Sequence, residues 1–169
     1  MQREPAYGAV DVHYPEAGGA VAALVIAADP AFAAIRAEHV ATVAEVAAYR
    51  PGAFFARELP AMRAVLAAAG PLHLLVIDGY VDLDPHGRPG LGAHAHAEFA
   101  VPVIGVAKTA FRDATHAVEV RRGAATRPLY VTAAGLPVER AAALVRAMAG
   151  PYRLPDALRR VDALSRGRS

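Results

Sequence analysis

The sequence predicts an α/β protein built on a mixed sheet flanked by helices. Segments 8–14 and 19–28 are strand-like and flank the turn residues Pro15, Gly18 and Gly19. The nearly unbroken apolar runs 72–77 and 101–107 have the character of parallel strands buried on both faces. Alanine-rich segments closed by Gly70-Pro71 and Gly150-Pro151 follow the pattern of helices that stop where proline cannot continue them. Antiparallel strands first, then helix alternating with strand, put helices on the faces of one sheet.

Taken in order, 8–14 and 19–28 form an antiparallel pair. Residues 32–46 are alanine-rich, which favours helix, but a third strand there completes a meander and makes the first strand central; a strand is expected. Residues 49–53 are a loop, and a helix spans about 55–69. Strand 72–77 leads into a loop over 79–92, rich in Gly, Pro and Asp. A short helix over 92–100 precedes strand 101–107. Two short strands lie near 117–121 and 127–132, and Pro137 opens a helix to about Ala149. No repeat or interior linker breaks the chain, so residues 1–169 read as one domain. From about 153 to 169 the apolar residues thin out, and a loose basic tail is expected.

Composition narrows the function classes. The chain has 169 residues, enough for a sizeable core, and 55% hydrophobic against 20% charged residues excludes a disordered chain. It has no cysteine, which excludes disulfides and thiolate metal sites. No signal-peptide pattern opens the sequence, and no apolar run approaches the ~20 residues that cross a bilayer. A cytoplasmic monomer with no membrane partner is expected. A net charge of +2 does not by itself announce a polyanion partner. Lys108 is the sole lysine among eighteen basic residues, which singles out its position.

Three acids carry the chemistry. Asp11 ends the run Gly8-Ala9-Val10, Asp78 ends Leu74-Leu75-Val76-Ile77, and Glu58 opens the helix after Phe54-Phe55. One aspartate after a strand is ordinarily a turn or cap residue. A carboxylate at the mouth of a buried strand, however, is costly unless a cation or a proton offsets it. Asp11 and Asp78 on adjacent strands, with Glu58 nearby, form an oxygen donor set suited to a hard divalent cation. Lys108, at the end of its strand, can set a point charge on a phosphate. Tyr49-Arg50-Pro51-Gly52 is a stiff loop bearing an aromatic, a shape that can stack on bases or part them. His94 and His96 match no established zinc spacing.

Together these segments resemble one family. Val10-Asp11-Val12-His13-Tyr14, Tyr49-Arg50-Pro51-Gly52, Phe55-Ala56-Arg57-Glu58-Leu59-Pro60, Leu75-Val76-Ile77-Asp78-Gly79, Gly90-Leu91-Gly92-Ala93-His94 and Ile104-Gly105-Val106-Ala107-Lys108-Thr109 are similar, in order and spacing, to endonuclease V. Arg127-Pro128-Leu129-Tyr130-Val131-Thr132 and Tyr152-Arg153-Leu154-Pro155 extend the resemblance to about residue 156. The resemblance implies a ribonuclease H-like fold and cleavage of DNA or RNA 3′ to a deaminated purine, inosine above all. It implies Mg²⁺, with Mn²⁺ able to substitute. Asp11 and Asp78 match the family's metal-binding aspartates, Glu58 its catalytic glutamate and a further metal ligand, and Lys108 its active-site lysine. Tyr49 to Gly52 match the strand-parting wedge, and Gly79 and His94 fall in nucleic-acid-binding motifs.

The chain departs from the family at Tyr80-Val81, where a small polar residue or histidine and a glycine are usual. It departs again at Asp84, and at Ala133-Ala134-Gly135-Leu136, where histidines are usual. A counterpart of the helical segment that normally precedes the first strand is not expected before residue 8. The acids and the lysine are therefore kept while the base pocket is altered. A nucleic-acid-binding protein without activity and a nuclease with another lesion preference are the alternatives on the same fold.

Overall fold

The computed structural model describes residues 3–45 and 55–168. The Tyr49-Arg50-Pro51-Gly52 loop lies outside the described residues.

The chain runs β1 (Tyr7–His13), β2 (Ala20–Ala27), β3 (Ile35–Val43), α1 (Phe55–Leu66), β4 (Leu74–Asp78), α2 (Leu91–Phe99), β5 (Val103–Ala107), β6 (Val118–Val120), β7 (Leu129–Ala134), α3 (Val138–Ala147) and α4 (Asp156–Ser165). All seven strands join one sheet in the order β3-β2-β1-β4-β5-β7-β6. The centre, β1-β4-β5, is parallel. β2 and β3 extend it antiparallel on one side, and β7 and β6 on the other. This is the mixed sheet that the order of segments predicts. The ambiguous stretch after residue 32 is a strand, β3, whose more and less exposed residues alternate as an edge strand's do.

Side chains of successive strand residues point to opposite faces, so the sheet builds two cores. Ala9, Val25, Val76, Ile104 and Val131 face α3 and α4, meeting Val145, Leu158 and Val161. Val10, Leu24, Leu75, Ile77 and Val103 face α1 and α2, meeting Met62 and Val65. The central strands are apolar on both faces because both faces are covered.

The expected loose basic tail is corrected here. Residues 156–165 form α4, which buries Ala157, Leu158 and Val161 against β1 and β2. The helix needs few apolar residues because its arginines lie on the outer side, where Arg160 makes a two-pronged pair with Glu38 of β3, Nε to Oε2 at 2.6 Å. The preceding corner is fastened by Arg122, 6% exposed. Its guanidinium donates to the carbonyls of Met148, Gly150, Tyr152 and Arg153.

Candidate active site

Strands β1, β4 and β5 run parallel, so their carboxyl ends share one edge, where ligands of open α/β sheets gather. Asp11 lies toward the end of β1, Asp78 ends β4, and Lys108 follows the last residue of β5. Alternation puts Asp11 on the side of Ala9 and Asp78 on the side of Val76, both toward the α3–α4 face. Glu58 approaches from the opposite side, in the first turn of α1. The start of α1 is held beside β1 by Arg57, whose guanidinium carbon stands 4.3 Å from the centre of the Tyr14 ring. The three predicted acids thus meet: Asp11, Glu58 and Asp78 line one small cleft with Val10, Met62, Ile77 and Leu91.

The electrostatics of that cleft follow from its burial. Burial and the charge of Asp78 push the Asp11 carboxyl up to about 6, against an accepted hydrogen bond from the Val12 amide and the more distant Lys108. Burial, then Asp11 and Asp78, push Glu58 up to about 7, with Arg57 opposing. Asp78 pairs directly with Lys108, whose Nζ stands 2.8 Å from Oδ2. Burial alone would lower the Lys108 ammonium, but Asp78 and the other acids outweigh it and hold it above its usual range. The cleft therefore carries more negative charge than Lys108 offsets. Among the described residues, no three His, Asp or Glu side chains are already gathered closely enough to hold one ion. Binding one would require the carboxylates of the cleft to draw together.

A tight turn carries the chain away from Asp78. Gly79 has φ of +133°, in the region that favours glycine. Its amide donates to the Val106 carbonyl at 2.9 Å, and the buried Val81 amide donates to Thr132 Oγ1 at 2.8 Å. Gly105 lies directly beneath: a Cβ there would stand 2.5 Å from the Gly79 carbonyl and 2.9 Å from the Val81 nitrogen. Gly79 thus has a local conformational role, a reversal immediately after Asp78. His94 is half-buried in the first turn of α2, outside the cleft lining. His96 Nδ1 is 2.7 Å from the Val101 carbonyl, a structural contact at the end of α2.

Asp162 was not foreseen from the sequence. It projects from α4, and its charge adds to the upward push on Asp11 and on Lys108. Arg166, one turn later, pairs with it, Nε to Oδ1 at 2.9 Å. The signal that could have found it was Pro155 followed by Asp156 and the apolar spacing 157, 158, 161, the start and stripe of an amphipathic helix. Two contacts on the Lys108 loop were equally unforeseen: the Tyr80 hydroxyl bonds to the Thr109 carbonyl, and Arg153 donates to the Lys108 carbonyl.

The endonuclease V family model matches residues 2–132. The chain belongs to the endonuclease V family. It is 35% identical over 178 residues to the endonuclease V of Streptomyces coelicolor, covering 93% of this chain and 76% of that protein. The solved endonuclease V of Streptomyces avermitilis superposes with a TM-score of 0.81 at 30% identity, covering 99% of this chain and 85% of the other. The endonuclease V of Ciona intestinalis, solved with a 23mer DNA containing an inosine followed by a ribo-adenosine, superposes at 0.83 with 18% identity, covering 96% and 84%. The fold is the ribonuclease H-like fold of endonuclease V. No helix among the described residues is long and apolar enough to cross a membrane.

Proposed function

We propose that this chain is a metal-dependent endonuclease that hydrolyses the phosphodiester bond 3′ to a deaminated purine such as inosine, in DNA or RNA, as a step in nucleic-acid repair. The observation that carries the reading is the meeting of Asp11, Glu58 and Asp78 in one cleft, at the edge where Lys108 stands on Asp78. Family membership and the Ciona complex with inosine-containing DNA support this substrate class for the cleft.

The residues present suit Mg²⁺ or Mn²⁺. All the donors are carboxylate oxygens, the choice of hard divalent cations. Asp11 and Glu58 are raised toward neutrality by burial and by neighbouring acids, the signature of clustered carboxylates short of positive charge. Asp11, Asp78 and Glu58 would hold the ion. When bound, it would polarise the scissile phosphate and make a water more acidic.

The chain's own groups do the rest. Glu58 lines the cleft beside Asp11 and Asp78, and a carboxylate placed there would suit a group taking a proton from the attacking water. The Lys108 ammonium offers fixed positive charge to the phosphate oxygens as negative charge builds there. Tyr49 to Gly52 would part the strand so that the damaged base can leave the stack, at a cost of a few kcal/mol.

The test is incubation of inosine-containing DNA and RNA oligonucleotides with Mg²⁺ or Mn²⁺, with Asp11→Ala as control. Nicking on the 3′ side of inosine, abolished in Asp11→Ala, supports the reading. No cleavage of either nucleic acid with either metal sinks it. A second reading, a binding protein without cleavage, is favoured by Tyr80, whose ring pairs with Phe111 at a position where the family resemblance leads one to expect a small polar residue or histidine. Salt-sensitive binding that is equal in wild type and Asp11→Ala, without nicking, would select it.

A further inference from the structure

The loop that carries Lys108 is fastened from two sides by groups lying far away in sequence. On one side, Arg153 donates from Nη2 to the Lys108 carbonyl and to the Pro128 carbonyl at 2.8 Å, and from Nε to the Arg127 carbonyl at 3.1 Å. On the other, the Tyr80 hydroxyl donates to the Thr109 carbonyl at 2.7 Å and accepts from the Phe111 amide at 3.0 Å. Tyr80 satisfies two backbone groups of one loop with one oxygen, across a separation of 29 residues. Its ring meets that of Phe111, centroids 6.0 Å apart, so the contact has an apolar part and a polar part.

Tyr80 is itself well anchored. It stands between Gly79, whose amide bonds to Val106, and Val81, whose amide bonds to the buried Thr132 hydroxyl. Gly105 packs closely against the turn from below. The phenol is thus a strut, one end fixed above β5 and the other holding residues 109–111. A lysine side chain has four rotatable carbons, and ordering it costs as much as ~2 kcal/mol of rotamer entropy. Fixing the backbone on either side of Lys108 removes part of the freedom that would otherwise let the ammonium leave Asp78.

We propose that Tyr80 is a positioning residue of this enzyme: its hydroxyl, bonded to Thr109 and Phe111, holds the turn that keeps the Lys108 ammonium over Asp78. The proposal rests on the nuclease reading for its kinetic consequence, but its geometric content stands apart from it. It also gives a reason for the bulky residue after Asp78-Gly79.

The test is Tyr80→Phe in the full chain, which keeps the ring and removes only the two hydrogen bonds. Because Lys108 is the sole lysine, reductive ¹³C-methylation gives one lysine signal beside that of the α-amine and retains the charge. The Lys108 signal should narrow in Tyr80→Phe as the ammonium gains mobility. In the nicking assay with Mg²⁺, kcat should fall by roughly 10- to 100-fold, the range expected for a misplaced group, with KM unchanged and the melting midpoint lowered by no more than about 5 °C. Tyr130→Phe, which removes the neighbouring phenol on β7, should leave all readings at wild-type values. Unchanged line width and kcat in Tyr80→Phe overturn the proposal. A raised KM with kcat intact also overturns it, since the phenol would then be touching substrate. If the wild type nicks nothing, the nuclease reading falls, while the line width still decides whether Tyr80 holds Lys108.

Discussion

Replacing Asp11 by Asn should abolish nicking and yet stabilise the metal-free protein. Asp11 titrates at about 6 in the fold, up from 3.8, because burial and Asp78 oppose its charge. That rise sets a ceiling of about 3 kcal/mol, at ~1.36 kcal/mol for each tenfold change in proton affinity. Asn keeps an oxygen to accept the Val12 amide bond, so little is lost in exchange. Partial exposure and coupling to Glu58 bring the expected gain to about 1–2 kcal/mol. For a protein of this size that raises Tm by roughly 3–6 °C. The pH dependence identifies the cause. A carboxyl whose folded pKa is raised binds its proton more tightly in the folded state, so its contribution is fully present below about pH 4 and is lost as pH rises through about 6. The gap between Asn and wild type should therefore be near zero at about pH 4 and reach its full size by about pH 8. Thermal unfolding in EDTA across that range is the assay. An Asn variant less stable than wild type at the alkaline end, or a gap that ignores pH, would refute the argument from clustered, uncompensated acids.

Adding Mg²⁺ at about pH 7.5 should raise the melting midpoint of the wild type and not that of Asp11→Asn, since a ligand of the folded state alone stabilises it; equal shifts in both would place the ion elsewhere. Thr132→Val should cost about 1–3 kcal/mol, because the Val81 amide is left buried without an acceptor, and urea titration would show it. Leu158→Ala should cost about 2–5 kcal/mol by opening a cavity under α4, and a melting point within error of wild type would mean that α4 is not packed on the sheet.

Much of this was legible in the residues, for identifiable reasons. Strands β4 and β5 could be read because both their faces are buried, and a short apolar run bounded by glycine and proline fits little else in an α/β chain. Asp11, Asp78 and Lys108 could be placed on one edge because parallel neighbours align their carboxyl ends. β3 was legible only through topology, since its alanines favour helix and its edge position leaves half its residues exposed. α4 escaped because its core contact is a narrow stripe, Ala157, Leu158 and Val161, hidden among arginines, and Asp162 escaped with it. The strut from Tyr80 joins distant residues through a backbone carbonyl and a backbone amide, groups almost every residue carries, so no side-chain pattern announces it. The Tyr49 wedge remains an expectation from sequence, outside the described residues.

Arg122 has a consequence for the order in which the protein matures during synthesis. Its guanidinium is buried, and the four carbonyls it satisfies belong to residues 148–153. When β6 leaves the ribosome those acceptors have not been made, and neither has α4. A nascent chain can join its strands, but it must keep this arginine wet and its sheet face bare while roughly thirty to forty more residues are added, a few seconds at ~5–20 residues per second. Docking of the corner at residues 148–153, and of α4 after it, then covers the face, and α4 brings Asp162 toward the acids. The cleft thus acquires its last charged neighbour only after the final helix has been made, and a nascent chain halted before that point carries the acids on an uncovered sheet.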